Sequence, residues 1–182
     1  MTRPLRVLFV CTANICRSPF MELVARELAG DGLEVSSAGT HGYADHAMDA
    51  QMAAGLVDRE IAHEAFRSRR LTPELVAEAD VVLTAEAAHR RFVLEQQPHA
   101  AGKVFTLGQF AAAAQQAEGV TGRELLQRLA SAGSAADASL DVGDPFRRGP
   151  ERAAECADQI ESLLRVAVPA LTGSERIGAW SS

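Results

Sequence analysis

Cysteine is scarce in this chain: Cys11, Cys16 and Cys156 are the only three in 182 residues. An odd, low count excludes a disulfide-stapled scaffold and fits a reducing compartment, where a thiol can stay reactive. Aromatic side chains are also rare, nine in all, so the core has to be built from Leu, Val, Ile, Met and Ala. No apolar run approaches the ~18 residues that a membrane-spanning helix needs. The N-terminal run Leu5–Val10 is short and gives way to a polar stretch, which excludes a secretory signal. Positive charge is in deficit, with a formal net charge of −6. That argues against nucleic acid as a partner, which needs a basic face. His41, His46, His63, His89 and His99 share no metal-ligand spacing and read as surface residues, so no metal is expected. Lysine is almost missing, Lys103 against 17 arginines; beside 34 alanines this is the codon bias of a GC-rich genome.

The hydrophobic content, 47%, is that of an ordinary globule. At this length it can bury a sizeable core in one domain. Leu5–Val10 reads as a buried strand and Cys11–Arg17 as a turn. Ser18-Pro19 then opens a helix as N-cap and first helical residue, with Phe20, Leu23, Val24 and Leu28 at helical spacing and Gly30 as its stop. Leu33–Ser37, Asp80–Thr84 and Lys103–Leu107 read as further strands. Helices are expected over Ala47–Val57, Thr72–Ala79, Ala85–Gln96 and Pro150–Val168. Between Gln109 and Ser139, Ala111–Ala114 and Glu124–Leu129 look helical, and Ala132–Ser139 reads as a mobile loop. Short apolar strands alternating with helices predict an α/β fold: a four-stranded parallel sheet with helices on both faces. The expected domain spans residues 1–172, with 173–182 as a frayed tail.

The chemistry sits in Cys11-Thr12-Ala13-Asn14-Ile15-Cys16-Arg17-Ser18, between the first strand and the first helix. Parallel sheets bind ligands at the carboxyl ends of their strands. Successive N–H groups in such a turn, with the helix dipole behind them, suit a tetrahedral anion. Cys11 lies in that positive field, which favours the nucleophilic thiolate. Arg17 can fold back over the loop, and its planar fork suits two oxygens of a phosphoryl group.

The string Val-Leu-Phe-Val-Cys-Thr-Ala-Asn-Ile-Cys-Arg-Ser-Pro resembles the signature of the low-molecular-weight protein tyrosine phosphatases of bacterial type, Cys-x-Gly-Asn-x-Cys-Arg-Ser-Pro after a valine-ended strand. The resemblance continues in Ser36-Ser37-Ala38-Gly39-Thr40, Arg69-Arg70-Leu71-Thr72-Pro73, Ala79–Leu83 and Asp144-Pro145-Phe146. It implies an enzyme that hydrolyses phosphotyrosine in proteins through a cysteinyl-phosphate intermediate, without cofactor. Cys11 is then the nucleophile, Arg17 the phosphate clamp and Asp144 the general acid. The phosphate lies in the loop Thr12, Ala13, Asn14, Ile15, Cys16, Arg17 and Ser18. Asn14 and Ser18 fix that loop, Ser18 by a hydrogen bond to Cys11. Residues 109–139 resemble an insertion. Ala13 stands where the family usually has Gly, a strain of about 1 kcal/mol if that position needs positive φ. A polar pair behind the site, often His and Asp, is expected to be absent, because Phe66 and Ala85 stand in those places.

Asp-Pro turns hold a carboxylate on a rim, which favours Asp144 over Asp141 as the acid. Tyr43 and Phe146 are expected to wall an aryl substrate, with Ile15 beside the nucleophile. Cys16 is expected as redox partner of Cys11 in a transient disulfide. Arg147 and Arg148 follow the acid and are placed to steer anionic substrates. An arginine phosphatase of the same machinery is the alternative; a Thr in place of Ile15 would favour it. A thiol-dependent arsenate reductase would need two more cysteines, and Asp80–Pro98 holds none. A phosphate-sensing module without turnover does not account for Cys11, Arg17 and Asp144 together. The expected setting is a cytoplasmic monomer that binds phosphate or other oxyanions and acts on a phosphoprotein such as a bacterial tyrosine kinase.

Overall fold

Strand β1, Leu5–Cys11, is buried at every position except Arg6, because it is covered on both faces. Val7, Phe9 and Cys11 point into one layer, Leu8 and Val10 into the other. The computed structural model describes residues 3–133, 135 and 137–174. Strands β2 (Leu33–Gly39), β3 (Val81–Thr84) and β4 (Val104–Thr106) complete one sheet in the order β2-β1-β3-β4. Every pairing is parallel. On one face, α1 (Arg17–Ala29), α2 (Ala50–Val57), α5 (Leu107–Gln116), α6 (Gly122–Ala132) and α7 (Pro150–Thr172) bury Phe20, Met52, Phe110, Leu125 and Ile160. On the other, α3 (Pro73–Glu78) and α4 (Ala87–Gln96) place Val76 and Val93 against Leu8 and Val10. This is the expected architecture.

The chain leaves β1 for β2 on one side and returns to β3 on the other. The crevice of a parallel sheet opens at such a reversal, at the carboxyl ends of the strands. Cys11 ends β1 there, in register with Gly39, and Val10 is in register with Thr84 of β3. Gly39 is fixed by close approach: a Cβ on it would lie 2.7 Å from the Thr12 carbonyl oxygen and 2.9 Å from Asn14 N.

Several boundaries differ from the sequence reading. Helix α1 starts at Arg17, with Cys16 as a cap that makes no side-chain bond. Ser18 is inside the first turn because its hydroxyl is turned to Cys11 instead. Helix α2 starts three residues late, because Asp49 caps it by accepting from Gln51 N and Met52 N. Helices α5 and α6 extend both helical stretches expected within 109–139, α5 behind a reciprocal cap between Thr106 and Gln109. Helix α7 passes Pro169 and ends at Gly173, whose φ of 73° closes the C-terminus. Of the loop expected over 132–139, positions 134 and 136 lie outside the described residues, as does the expected tail from 175 onward.

Replacing Gly39 with Ala should lower stability by ~1–3 kcal/mol, as overpacking does. Gly143→Ala, where the added methyl meets nothing within 4 Å, should leave the denaturation midpoint unchanged. Equal midpoints for the two variants would show that the close approach at Gly39 carries no weight.

Candidate active site

The loop after β1 is shaped by its carbonyls. Those of Cys11, Thr12 and Ile15 accept from Thr40 N, His41 N and Asp49 N at 2.8–2.9 Å. A trans peptide sets its N–H opposite its C=O, so the amides of Thr12, Ala13 and Cys16 face the hollow. The left-handed residue of the loop is Asn14, φ 57°. Asn tolerates that region. Ala13 has no positive φ, so the strain expected from its missing glycine does not arise.

Asn14 is fully buried. Its Oδ1 accepts from Arg69 N at 2.9 Å, and its Nδ2 donates to Ser18 Oγ and Ser37 Oγ, both at 2.8 Å. Ser37 Oγ donates onward to Glu22 Oε2 at 2.6 Å. Ser18 Oγ stands 3.0 Å from Cys11 Sγ. Ser18 Oγ thus receives from Asn14 and has two neighbours for its own proton, the Cys11 sulfur and, farther off at 3.5 Å, the Ala38 carbonyl.

Arg17 is 2% exposed. Its Nη1 donates to Glu86 Oε1 at 2.5 Å and to the Val142 carbonyl at 2.9 Å, and its Nη2 lies 3.4 Å from Asp144 Oδ1. Burial disfavours the charged guanidinium, yet Cys11, Glu86 and Asp144 outweigh that and hold it more firmly protonated than usual. Its Nε is buried with no partner among the described residues; together with Nη2 it forms an edge suited to two oxygens of an anion. Behind Thr12, His89 is buried, and its Nδ1 accepts from Glu86 N at 3.2 Å while its Nε2 faces Thr12 Oγ1 at 2.8 Å. Burial first, then the Arg17 charge, lower the His89 pKa to about 4, so the ring is neutral and its Nε2 carries the proton given to Thr12.

The acid loop is pinned at its root. Val142 N donates to the Ala85 carbonyl at 2.9 Å, and Asp141 Oδ1 accepts from Ala87 N at 2.8 Å. Asp141 is thus committed to the start of α4, and burial raises its pKa. Asp144 is half exposed and reaches the cleft. The cleft, about 520 Å³, has Cys11 and Arg17 at its floor and Ile15, Tyr43 and Phe146 around it. Tyr43 and Phe146 are 61% and 40% exposed.

The structure therefore brings together the expected loop Thr12–Ser18, Cys11, Asp144 and the three wall residues. Cys16 and Cys156 are free, buried thiols. Burial, then the charges of Asp49 and Cys11, push the Cys16 thiol far up; burial pushes that of Cys156 up to about 12. Two expectations are corrected. Polar support behind the site, expected to be absent because Phe66 and Ala85 replace the His and Asp usual in the family, is supplied by Glu86 and Glu22. His89 is buried, not on the surface. Glu86 is one residue beyond Ala85 and caps α4 reciprocally with His89; only that Glu-x-x-His spacing signalled it. His41 is exposed, as expected, and lines the cleft.

Among the described residues no helix is long and apolar enough to cross a membrane. The family model for low molecular weight phosphotyrosine protein phosphatase matches residues 6–122. The chain is 36% identical over 104 residues to the low molecular weight protein-tyrosine-phosphatase Etp of Escherichia coli, covering 57% of this chain and 70% of that one. It is 32% identical over 162 residues to a protein-arginine-phosphatase of Geobacillus stearothermophilus, covering 88% and 92%. Among solved structures, the YwlE arginine phosphatase of Geobacillus stearothermophilus superposes with a TM-score of 0.75 at 28% identity, over 93% of this chain and 94% of that one. With the cysteine loop, its arginine and the parallel sheet in place, the chain belongs to the low molecular weight phosphotyrosine protein phosphatase family.

Proposed function

We propose that the protein hydrolyses phosphotyrosine in proteins, with Cys11 as nucleophile, Arg17 as clamp and Asp144 as general acid and base. The observation that carries this is the convergence of all three in one cleft between aromatic walls. The Cys11 thiolate attacks phosphorus in line, and the P–S bond forms as the ester P–O bond breaks. Asp144 gives its proton to the leaving phenolate oxygen. Arg17 and the inward amides hold the equatorial oxygens as charge develops on them. Water then attacks the cysteinyl phosphate and loses a proton to Asp144. Phosphate leaves, and the returning thiolate takes up the hydrogen bond of Ser18.

The site is complete within one chain, which supports a monomer, and the three free cysteines fit the cytoplasm. A bacterial tyrosine kinase is a substrate of the right chemistry. Phosphate and other oxyanions compete for the loop. Under peroxide, a Cys11 sulfenic acid condenses with the Cys16 thiol to a disulfide and water. The raised Cys16 pKa makes that step slow. Residues 1–172 act as one domain, in which α5 and α6, within the stretch expected as an insertion, pack on α7.

Cys11→Ser should abolish hydrolysis of p-nitrophenyl phosphate while phosphate binding persists. Asp144→Asn should slow phenyl phosphate by roughly 10²–10⁴-fold, and Asp141→Asn much less. Steady-state kinetics of the three variants decide the assignment; a larger defect in Asp141→Asn would move the acid to that residue.

A second reading, phosphoarginine as substrate, draws support from the relative so named that aligns over most of its length. Ile15 favours the aryl group: it is half-buried and offers no hydroxyl to a guanidinium. Ile15→Thr should lower catalytic efficiency on phosphotyrosine peptides relative to phosphoarginine peptides, by roughly fourfold for one lost CH₂-sized contact. A parent enzyme already faster on phosphoarginine would overturn the choice of substrate.

The neutral His89 also sets an acid limit. Its folded pKa of about 4 lies below the ordinary 6.5, so between these values the unfolded chain binds the extra proton. Stability present above pH 6.5 is lost as pH falls towards 4, by up to ~3 kcal/mol. Denaturation midpoints between pH 7 and 4 should fall more steeply in the parent than in His89→Gln; parallel curves would refute the linkage.

A further inference from the structure

Arginines in this protein are mostly paired: Arg3 with Asp80, Arg6 with Glu34, Arg17 with Glu86, Arg59 with Glu161, Arg165 with Glu161. Carboxylates outnumber cations over the whole chain, so a pairing partner is seldom far away. Arg147 is an exception. Among the described residues it has no carboxylate partner, and its guanidinium lies 5.0 Å from the centroid of the Phe146 ring. It lines the same cleft as Cys11, at the exposed mouth.

Its backbone is unusual as well. Arg148 N donates to the Pro145 carbonyl at 3.0 Å, closing a turn in which Arg147 holds the third position with φ 58°. Turns of that hand call for glycine or asparagine there. A long cationic residue is thus held in a left-handed conformation, directed by the turn toward the cleft. Strain of this kind is a pointer to function when the side chain has no structural task.

The floor of the cleft takes the phosphoryl group and the walls take the ring, so the rest of a substrate peptide crosses the mouth. Among the described residues neither Arg147 nor Arg148 has a carboxylate partner, and of the two it is Arg147 that lines the cleft such a peptide crosses. We propose that Arg147 is a specificity residue that selects phosphotyrosine flanked by an acidic residue, pairing with that carboxylate while its guanidinium stays over the Phe146 ring. This inference rests on the phosphotyrosine reading above. It adds a sequence preference that the cysteine machinery alone does not give.

The test uses three phosphotyrosine peptides that differ only in the flanking residue, Glu, Ala or Lys, with p-nitrophenyl phosphate as a substrate that carries no flanking residue. The parent should favour Glu over Lys by about two- to fivefold in kcat/KM, the worth of one exposed ion pair. Raising the salt should erase that preference. Arg147→Gly relaxes the turn and should abolish the preference, read as the ratio of kcat/KM on the Glu and Lys peptides within that variant. Arg147→Glu should reverse it. Equal rates on all three peptides in the parent, or a preference that survives Arg147→Gly, would overturn the proposal. So would a preference that disappears in Arg148→Ala and persists without Arg147. Failure to turn over p-nitrophenyl phosphate and every peptide would instead sink the phosphatase reading beneath it.

Discussion

The amide of Asn14 is the joint on which the site depends. One buried side chain accepts from the backbone of the segment before α3 and donates to both Ser18 and Ser37. Because Arg69 N occupies the oxygen, the amide cannot flip without leaving a buried donor facing a donor, which costs ~1–3 kcal/mol. The nitrogen is therefore aimed at Ser18, whose hydroxyl stands 3.0 Å from the sulfur. A chemical polarity set far from the reacting atom is carried to the hydroxyl beside it. The same residue supplies the left-handed turn of the loop, so conformation and hydrogen bonding are secured by one choice of amino acid.

Arg17 shows the opposite economy. It is buried on all sides, a costly place for a cation, and it is kept there by anions from three separate elements: Cys11 at the end of β1, Glu86 before α4, and Asp144 in the acid loop. Glu86 and the Val142 carbonyl share one nitrogen. The fork is thereby oriented before any substrate arrives, which is the preorganisation that stabilises developing charge without reorganisation. Leu140 reinforces the frame: its carbonyl fits so closely over Gly108 that a Cβ there would lie 2.1 Å away.

The parts of the molecule that follow local rules were readable in the sequence. Four short apolar strands, Thr72-Pro73 as a helix start and Gly30 as a stop all act through neighbours in the chain, and the structure has each of them. The loop Cys11–Ser18 was readable because its string is contiguous. What escaped was whatever depends on remote pairing. Glu22 lies on a helix face and looks like a solvated charge until Ser37 of β2 is placed beside it. His89 looks like a surface residue of an amphipathic helix until Thr12 is brought to its ring. Ser18 misled in the other direction: its cap chemistry was correct by rule, yet its hydroxyl was already engaged by the thiol. Boundaries shifted where a cap was hidden inside an expected helix, as at Asp49.

The depth of the cleft acts as a ruler. Cys11, 2% exposed, lies beneath rims that are largely open to water, so a phosphoryl group reaches sulfur only at the end of a long, narrow stem. Serine and threonine hold a phosphate one carbon from the backbone, the short end of the range. Tyrosine and arginine both carry it on much longer stems. Length is thus a criterion that a buried thiol applies before any side-chain chemistry is consulted. The choice between the two longer stems falls to the surface that touches them along the way.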